Sequence, residues 1–546
     1  MRICYIWTES FKNLRHFGIN IRNDLRFSYD PETQLLSREK QAGLPPEILG
    51  DQILDATAIL GINGAGKTNV LELICLALKG NEKLQQPTLI VYEFHDVFFY
   101  ANNTHQKIQA GFPIQKRTDL KDLKDLNVIY FSNVFDQSQL NLGKYILDIS
   151  TNFRHSNRNP KFGNDPDFDI INQLKFIQSE KFRAIKIAPP KHIEIKIERY
   201  TRPSNTDKIS KHSDLFRRIL EQQQTLRQQA HADDGQLATV AIQGQFLHQI
   251  LSIHKSNDAL VKSVEKTLCS SESDEINFRP ALMEVKNNFT ENNIQNIWGQ
   301  EFNIPQLIDI ILDLDHHFNL MNIRLDDSLK SSRYTFTLDF YDHLNLPYLE
   351  ISMIIWMIRS GSINWTGISS GQRAYLNMFS SIWSTLGGAR TTKSKSIGTL
   401  LCIDEADLYL HPKWQVEFME RLITCLPKLS EQKTQIVLTT HSPILVSDLP
   451  SQCLTTLPAQ IPTDASNPLV NDIKTFGANL FDIYESTFGL KGQRTGNISS
   501  KYISKILRIL DADQIPPEEM ATLLEASSII DDQLIKSHII KRIKSK

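Results

Sequence analysis

Cysteine is scarce in this chain: six residues among 546, at positions 4, 75, 269, 402, 425 and 453, with no close pair. A zinc knuckle or a disulfide scaffold needs closely spaced thiols, so neither is expected. Cys75 and Cys402 lie inside apolar segments and read as small core residues. Long apolar runs are missing too, since no stretch reaches the ~18 residues that mark a membrane-spanning helix. The opening Met-Arg-Ile-Cys-Tyr-Ile-Trp continues into polar sequence and lacks a secretory pattern. A cytoplasmic protein without membrane contact is therefore expected. An excess of one charge is also absent. With 60 Lys and Arg against 62 Asp and Glu, any nucleic-acid surface has to be local. No internal period suggests a solenoid, and heptads are not sustained enough for a long coiled coil.

What is present centres on Gly61-Ile62-Asn63-Gly64-Ala65-Gly66-Lys67-Thr68. An apolar run at 56–60 precedes it, and a helix-like segment at 69–78 follows. Strand, glycine loop, Lys-Thr and helix form the context that makes a phosphate-binding loop credible. Glycines let successive backbone N–H groups turn inward around an anion, and the helix start adds its positive dipole end. Lys67 can reach the β- and γ-phosphates of a nucleotide, and the Thr68 hydroxyl can ligate magnesium.

Three later motifs supply what such a loop lacks. The apolar run 399–403 ends in Asp404-Glu405. Asp404 is suited to hold magnesium through the metal's water shell, and Glu405 to polarise an attacking water. Another apolar run, 437–440, ends at His441, which can hydrogen-bond a γ-phosphate or that water. A lone histidine at a strand end is ordinarily a cap or a surface residue. Here a helix-like segment, 414–426, separates the two runs, which makes one β-α-β step and brings Glu405 and His441 to the same carboxyl edge. The fourth motif is Thr366-Gly367-Ile368-Ser369-Ser370-Gly371-Gln372-Arg373-Ala374, small hydroxyl residues and Gly heading a helix. Alone it would be a capped helix start. Beside an existing phosphate loop it is surplus, which suggests that it completes a nucleotide held by another subunit.

The chain divides by composition into a first part at 1–140, an inserted, mainly helical segment at 141–333, a resumption at 334–450, and an α-rich extension at 451–546. Helices are expected at 169–183, 213–232, 240–253, 259–269 and 304–313, and a half-buried strand at 192–198. Asp313-Leu314-Asp315-His316-His317 is expected to be a surface turn rather than a metal cluster. Residues 181–211 hold nine Lys or Arg against three acids, so Lys191, Lys196 and Arg199 are candidates for a phosphate-backbone contact. A solvated face is the plainer alternative, because Phe182 and Tyr200 are too few for a stacking platform.

Taken together, these motifs resemble the ABC-type ATPase heads of the chromosome-maintenance (SMC) proteins and of repair ATPases of RecF type. On that likeness residues 61–68 stand as Walker A, Ser369-Ser370-Gly371-Gln372 as the signature motif, Asp404 and Glu405 as Walker B, and His441 as the switch histidine. Gln137 or Gln139 stands at the lid glutamine, a further metal contact. Asp404-Glu405-Ala406-Asp407-Leu408-Tyr409-Leu410-His411-Pro412 and Thr475-Phe476-Gly477-Ala478-Asn479 look more like the overcoming-lysogenization-defect class and its defence relatives. Size and layout are most similar to the ATPase subunit of the Septu antiphage system, including its retron-associated form.

The resemblance implies an α/β fold, an ABC-type P-loop NTPase head with an inserted mainly helical domain. It implies ATP and Mg2+ as cofactors, ATP hydrolysis, and a homodimer or higher homo-oligomer closed by the signature motif in trans. It further implies a separately encoded HNH nuclease partner, with a retron reverse transcriptase and its DNA in the retron form. A RecF-like repair ATPase and an ATP-dependent scaffold without turnover are the alternatives. Two departures count: the middle segment is too short and mixed for a long coiled-coil arm, and no fused toprim nuclease is expected after the ATPase.

Overall fold

The strands Ile53–Leu60, Gly398–Asp404 and Thr434–Thr439 are almost wholly buried along their length. Continuous apolar strands of this kind belong in a parallel sheet covered on both faces. In the computed structural model they form the centre of a six-stranded sheet. Its spatial order is Leu147–Asp148, Leu126–Ser132, Gly398–Asp404, Thr434–Thr439, Ile53–Leu60 and Leu454–Thr456, and every neighbouring pair is parallel. The structure describes residues 1–546 except 63, 80–86, 104–106, 118–119, 139, 144, 155–167, 199–232, 270–276, 290–293, 298–299, 327–332, 341–344, 359–360, 387–396, 458–473, 489–494, 513–514 and 545–546.

The helix Lys67–Lys79 is apolar on nearly every side because it is covered on nearly every side. One face packs on Leu126, Val128, Leu400, Cys402 and Val437 of the parallel sheet. The other packs on Ile3, Ile6, Phe17 and Ile19 of a second, five-stranded sheet. That sheet runs Leu14–Asn20, Arg2–Phe11, Thr88–Phe94, Val97–Asn102 and Gln115–Arg117, antiparallel apart from its last pair. The fold is therefore α/β, with parallel and antiparallel sheets and helical insertions, as expected of a P-loop NTPase.

The step from Gly398–Asp404 through the helix Pro412–Leu429 to Thr434–Thr439 is the expected β-α-β unit. Residues 192–198 form a strand, and its partners are Arg333–Asp339 and Gly361–Thr366. A strand of the middle segment thus sits between two strands that follow that segment. Other expectations need correcting. The helix expected at 169–183 ends at Gln178, where the Ser179 hydroxyl bonds the Phe176 carbonyl at 2.6 Å, and a 3-10 turn, Glu180–Ile185, follows. Asp313 to His317 is not a surface turn: Leu314–Met321 is a helix, with Leu314, Phe318 and Met321 buried at helical spacing. The helix Arg279–Asn287 and the hairpin Ile294–Ile297 with Gln300–Asn303 had no expectation at all. The helix expected at 213–232 lies outside the described residues. No helix among the described residues is long and apolar enough to cross a membrane.

The first and last portions of the head are tied by one buried carboxylate. Asp55 is fully buried and takes two bonds from the Arg2 guanidinium, at 2.7 and 2.6 Å. It also accepts the Asn23 N–H at 2.8 Å and the Gln435 side-chain amide at 2.8 Å. Removing one partner of such a group leaves the others buried and unpaired. Asp55→Ala should therefore cost roughly 3–5 kcal/mol of stability, read by urea unfolding. A loss below about 1 kcal/mol, the size of an exposed pair, would show the network to be dispensable.

Candidate nucleotide site

The loop after Ile53–Leu60 is shaped by glycine where glycine is required. Gly64 and Gly66 have φ of 80° and 99°, values that side-chain-bearing residues rarely adopt. A Cβ on Gly66 would lie 2.4 Å from the side chain of Asn13. Asn13, in the turn between the first two strands, donates its amide to the Ala65 carbonyl at 2.9 Å and accepts from the Asn69 amide at 2.7 Å. The neighbouring Lys12 pairs with the buried Glu72 carboxylate of the helix. The hairpin tip is in this way docked on the loop it braces.

Lys67 opens the helix, is nearly buried, and folds its ammonium back onto the Gly61 carbonyl at 3.0 Å and the Ile62 carbonyl at 3.4 Å. Burial lowers its pKa, and the Glu405, Asp404 and Asp407 carboxylates oppose that shift. Thr68 donates its hydroxyl to Asp404 Oδ2 at 2.9 Å. Asp404 Oδ2 also accepts the Tyr130 hydroxyl at 3.1 Å, and Oδ1 accepts the Thr439 hydroxyl at 2.6 Å. Burial, and then the Asp404 carboxylate, push the Tyr130 hydroxyl well up.

Glu405 follows with φ 49°, in the left-handed region, a conformation that costs a non-glycine residue about 1–3 kcal/mol. Its N–H donates to Thr439 Oγ1 at 2.7 Å, and the next N–H, of Ala406, to the Thr439 carbonyl at 3.0 Å. Burial first, and then the Asp404 and Asp407 carboxylates, raise the Glu405 carboxyl, while Lys67 draws it back. Asp407 accepts the Thr440 hydroxyl at 2.6 Å and the His441 N–H at 3.1 Å, which fixes the backbone carrying the imidazole. Burial and then the Lys67 cation lower the His441 pKa, against the Asp407 and Asp404 carboxylates.

The loop after Leu126–Ser132 reaches the same place. Asp136 is close enough to bear on the Glu405 carboxyl. Gln137 is exposed, has φ 62°, and its N–H is held by Asn152 Oδ1 at 3.2 Å. Gln139 and Asn63 lie outside the described residues. Residues 369–372 are bonded to one another. Ser369 Oγ accepts the Gln372 N–H at 3.2 Å while Gln372 Oε1 accepts the Ser369 N–H at 2.9 Å, a reciprocal cap on the helix Ser370–Leu386. Gly371 is buried against Trp414. Among the described residues, no hydrogen bond or ion pair joins these four to the phosphate loop. Of the basic patch, Lys196 pairs with Glu194 at 2.7 Å, Lys191 is exposed, and Arg199 lies outside the described residues.

Lys67, Thr68, Asp404, Glu405 and His441 are thus gathered at one sheet edge. The oxygen set there suits a small hard cation. Mg2+ takes one or two protein oxygens and completes its octahedron with phosphates and water, and Thr68 and Asp404 offer such a pair. No cluster of three or more His, Cys, Asp or Glu capable of holding a metal without a nucleotide occurs among the described residues. Sequence reasoning missed Asn13, Tyr130 and Thr439, and named Asp407 without a role. Thr439 and Thr440 at the end of an apolar strand were the one available signal.

A family model described as "AAA domain, putative AbiEii toxin, Type IV TA system" matches residues 56–447. The chain is also similar to the "Retron Vc95 probable ATPase" of Vibrio cholerae serotype O1 biovar El Tor. The two are 23% identical over 415 residues, which cover 73% of this chain and 68% of that protein.

Two outcomes follow from the geometry. Asn13→Ala removes the brace from the Ala65 carbonyl, and nucleotide affinity should fall about tenfold, the equivalent of one to two hydrogen bonds; calorimetry showing unchanged affinity would make the hairpin a bystander. Glu405→Gln should raise the melting temperature at pH 7. The folded Glu405 pKa lies above its unfolded value, so its favourable contribution is present at low pH and is lost as pH rises through the folded pKa. The neutral amide escapes that loss, and the gain should shrink as pH falls towards 4, within the ordinary carboxylate range.

Proposed function

The chain belongs to the family described as AAA domain, putative AbiEii toxin, Type IV TA system, an ATP-binding and ATP-hydrolysing domain, and from that premise we propose an ATPase subunit of a bacterial antiphage defence complex. In this reading its head is of ABC type. The observation that carries it is the gathering of Lys67, Thr68, Asp404, Glu405 and His441 at one sheet edge, beside a second, reciprocally capped helix start at 369–372 that shares no hydrogen bond or ion pair with the phosphate loop among the described residues.

ATP would sit on the loop 63–68, with Lys67 turning its ammonium from the Gly61 and Ile62 carbonyls to the β- and γ-phosphates. Magnesium held by Thr68 and Asp404, with Gln137 or Gln139 beside it, supplies neutralisation of phosphate charge. Glu405 is the base: its raised carboxyl is poised to take a proton from water, and the Thr439 hydroxyl fixes its backbone. The His441 imidazole holds the water or the γ-phosphate. Ser369, Ser370, Gly371 and Gln372 of a second copy close over the nucleotide, with the helix-start N–H groups of Ser370 and Gly371 facing its phosphates. ATP is then interface material, and hydrolysis loosens the contact.

The relative from Vibrio cholerae is named as a retron ATPase, which favours a defence role over a RecF-like repair role or a scaffold without turnover. In that setting the partners are an HNH nuclease and, in a retron, a reverse transcriptase with its DNA. A direct nucleic-acid contact would run through Lys191, Lys196 and Arg199, of which Lys196 is paired with Glu194.

The test combines two substitutions. With Glu405→Gln, ATP should be bound but not hydrolysed, and scattering should report a closed dimer. Adding Ser370→Arg should leave ATP bound to a monomer, because a bulky cation replaces a small phosphate donor. A dimer of undiminished mass in the double variant sinks the trans arrangement; turnover by Glu405→Gln at the wild-type rate sinks the assignment of the base.

A further inference from the structure

The Asp404 carboxylate has two oxygens and about four lone-pair positions, and three side-chain hydroxyls occupy it. Two of the three have other duties. Thr68 is the candidate metal ligand, and Thr439 also accepts the N–H of Glu405. The third belongs to Tyr130, whose hydroxyl has Asp404 as its one partner among the described residues.

Tyr130 comes from the neighbouring parallel strand, where it is in register with Cys402, two residues before Asp404. Side chains two apart share a face, so the phenol lies alongside the strand and reaches towards its carboxyl edge. The ring packs in the same apolar cluster as Cys402, Val437 and the helix Lys67–Lys79. Packing therefore sets the direction of the hydroxyl before any ligand arrives, with no rotamer freedom left to lose. A buried phenol without a partner is costly, so this bond is kept for as long as the core is intact.

We propose that Tyr130 is a positioning residue for the metal-facing carboxylate: its hydroxyl holds Asp404 at the rotation that leaves its remaining lone pairs for the water shell of a divalent cation bound with nucleotide. The inference rests on the reading of Asp404 as the metal carboxylate. It gives Tyr130 a role that acts through Asp404. Groups that orient a metal ligand in this way are worth about 10–100-fold in metal affinity.

Tyr130→Phe keeps the ring and removes only the donor. With a non-hydrolysable ATP analogue bound, the affinity for Mn2+, followed by the spin-resonance signal of the free ion, should fall about tenfold or more. Nucleotide affinity in EDTA should stay at the wild-type value, and the melting temperature, lowered by the loss of one buried bond, is recorded so that every affinity is taken well below it. During turnover the Mg2+ concentration for half-maximal rate should rise in step, while kcat at saturating Mg2+ is retained. Asp404→Asn is the control. Loss of Mn2+ affinity in Asp404→Asn but not in Tyr130→Phe overturns this inference alone. No loss in either variant overturns the metal role of Asp404 beneath it. An equal fall in nucleotide affinity in EDTA would make Tyr130 a purely structural residue, and would overturn the inference as well.

Discussion

All six strands of the central sheet run in one direction, and the candidate site is a consequence of that single constraint. A parallel sheet delivers the carboxyl end of every strand to the same edge, whatever the distance in sequence. Thr68 follows one strand and Asp404 ends another, 336 positions away, yet a 2.9 Å bond joins them. Thr439, at the end of a third, closes on Asp404 from the other side. The hydroxyl-rich ends are affordable there because the carboxylate gives each donor a partner. Elsewhere the strands ending at Asp404 and Thr439 are buried along their length, and their centres, 400–403 and 436–438, are apolar.

The sequence made the central elements legible because their chemistry is local. A glycine loop between an apolar run and a helix, or two carboxylates closing an apolar run, needs no tertiary information to be seen. Adjacency of the strands ending at Asp404 and Thr439 was legible as well, from the helix between them. Asn13 was not legible, since a Lys-Asn turn between strands carries no sign of what it docks against. Tyr130 was hidden for another reason: a tyrosine in an apolar strand looks like core, and its register with Cys402 exists only in the sheet. In the middle segment, helix existence followed periodicity at 240–253, 259–269 and 304–313, but the Leu314–Met321 helix was masked by Asp315, His316 and His317 between its buried Leu314 and Phe318.

The site concentrates unfavourable terms. Glu405 is held in a left-handed conformation with its carboxyl raised by burial beside two other carboxylates. Burial lowers the pKa of both Lys67 and His441. Each is destabilising for the fold and useful for chemistry on a polyanion, where a base of raised pKa and a partly stripped cation act most strongly. The surrounding apolar cluster, with the helix Lys67–Lys79 between two sheets, supplies the stability that offsets them.

The strand order also has a consequence for how the chain is made. Leu126–Ser132 and Ile53–Leu60 emerge early from the ribosome, but they are not neighbours: Gly398–Asp404 and Thr434–Thr439 lie between them. Both early strands therefore wait with open hydrogen-bonding edges until the whole middle segment has been translated. At ~5–20 residues per second that wait is on the order of tens of seconds. Unpaired apolar edges are templates for misassociation. A nascent chain of this topology is thus a natural client for chaperones, and its yield in cells should depend on the pace of translation through its middle.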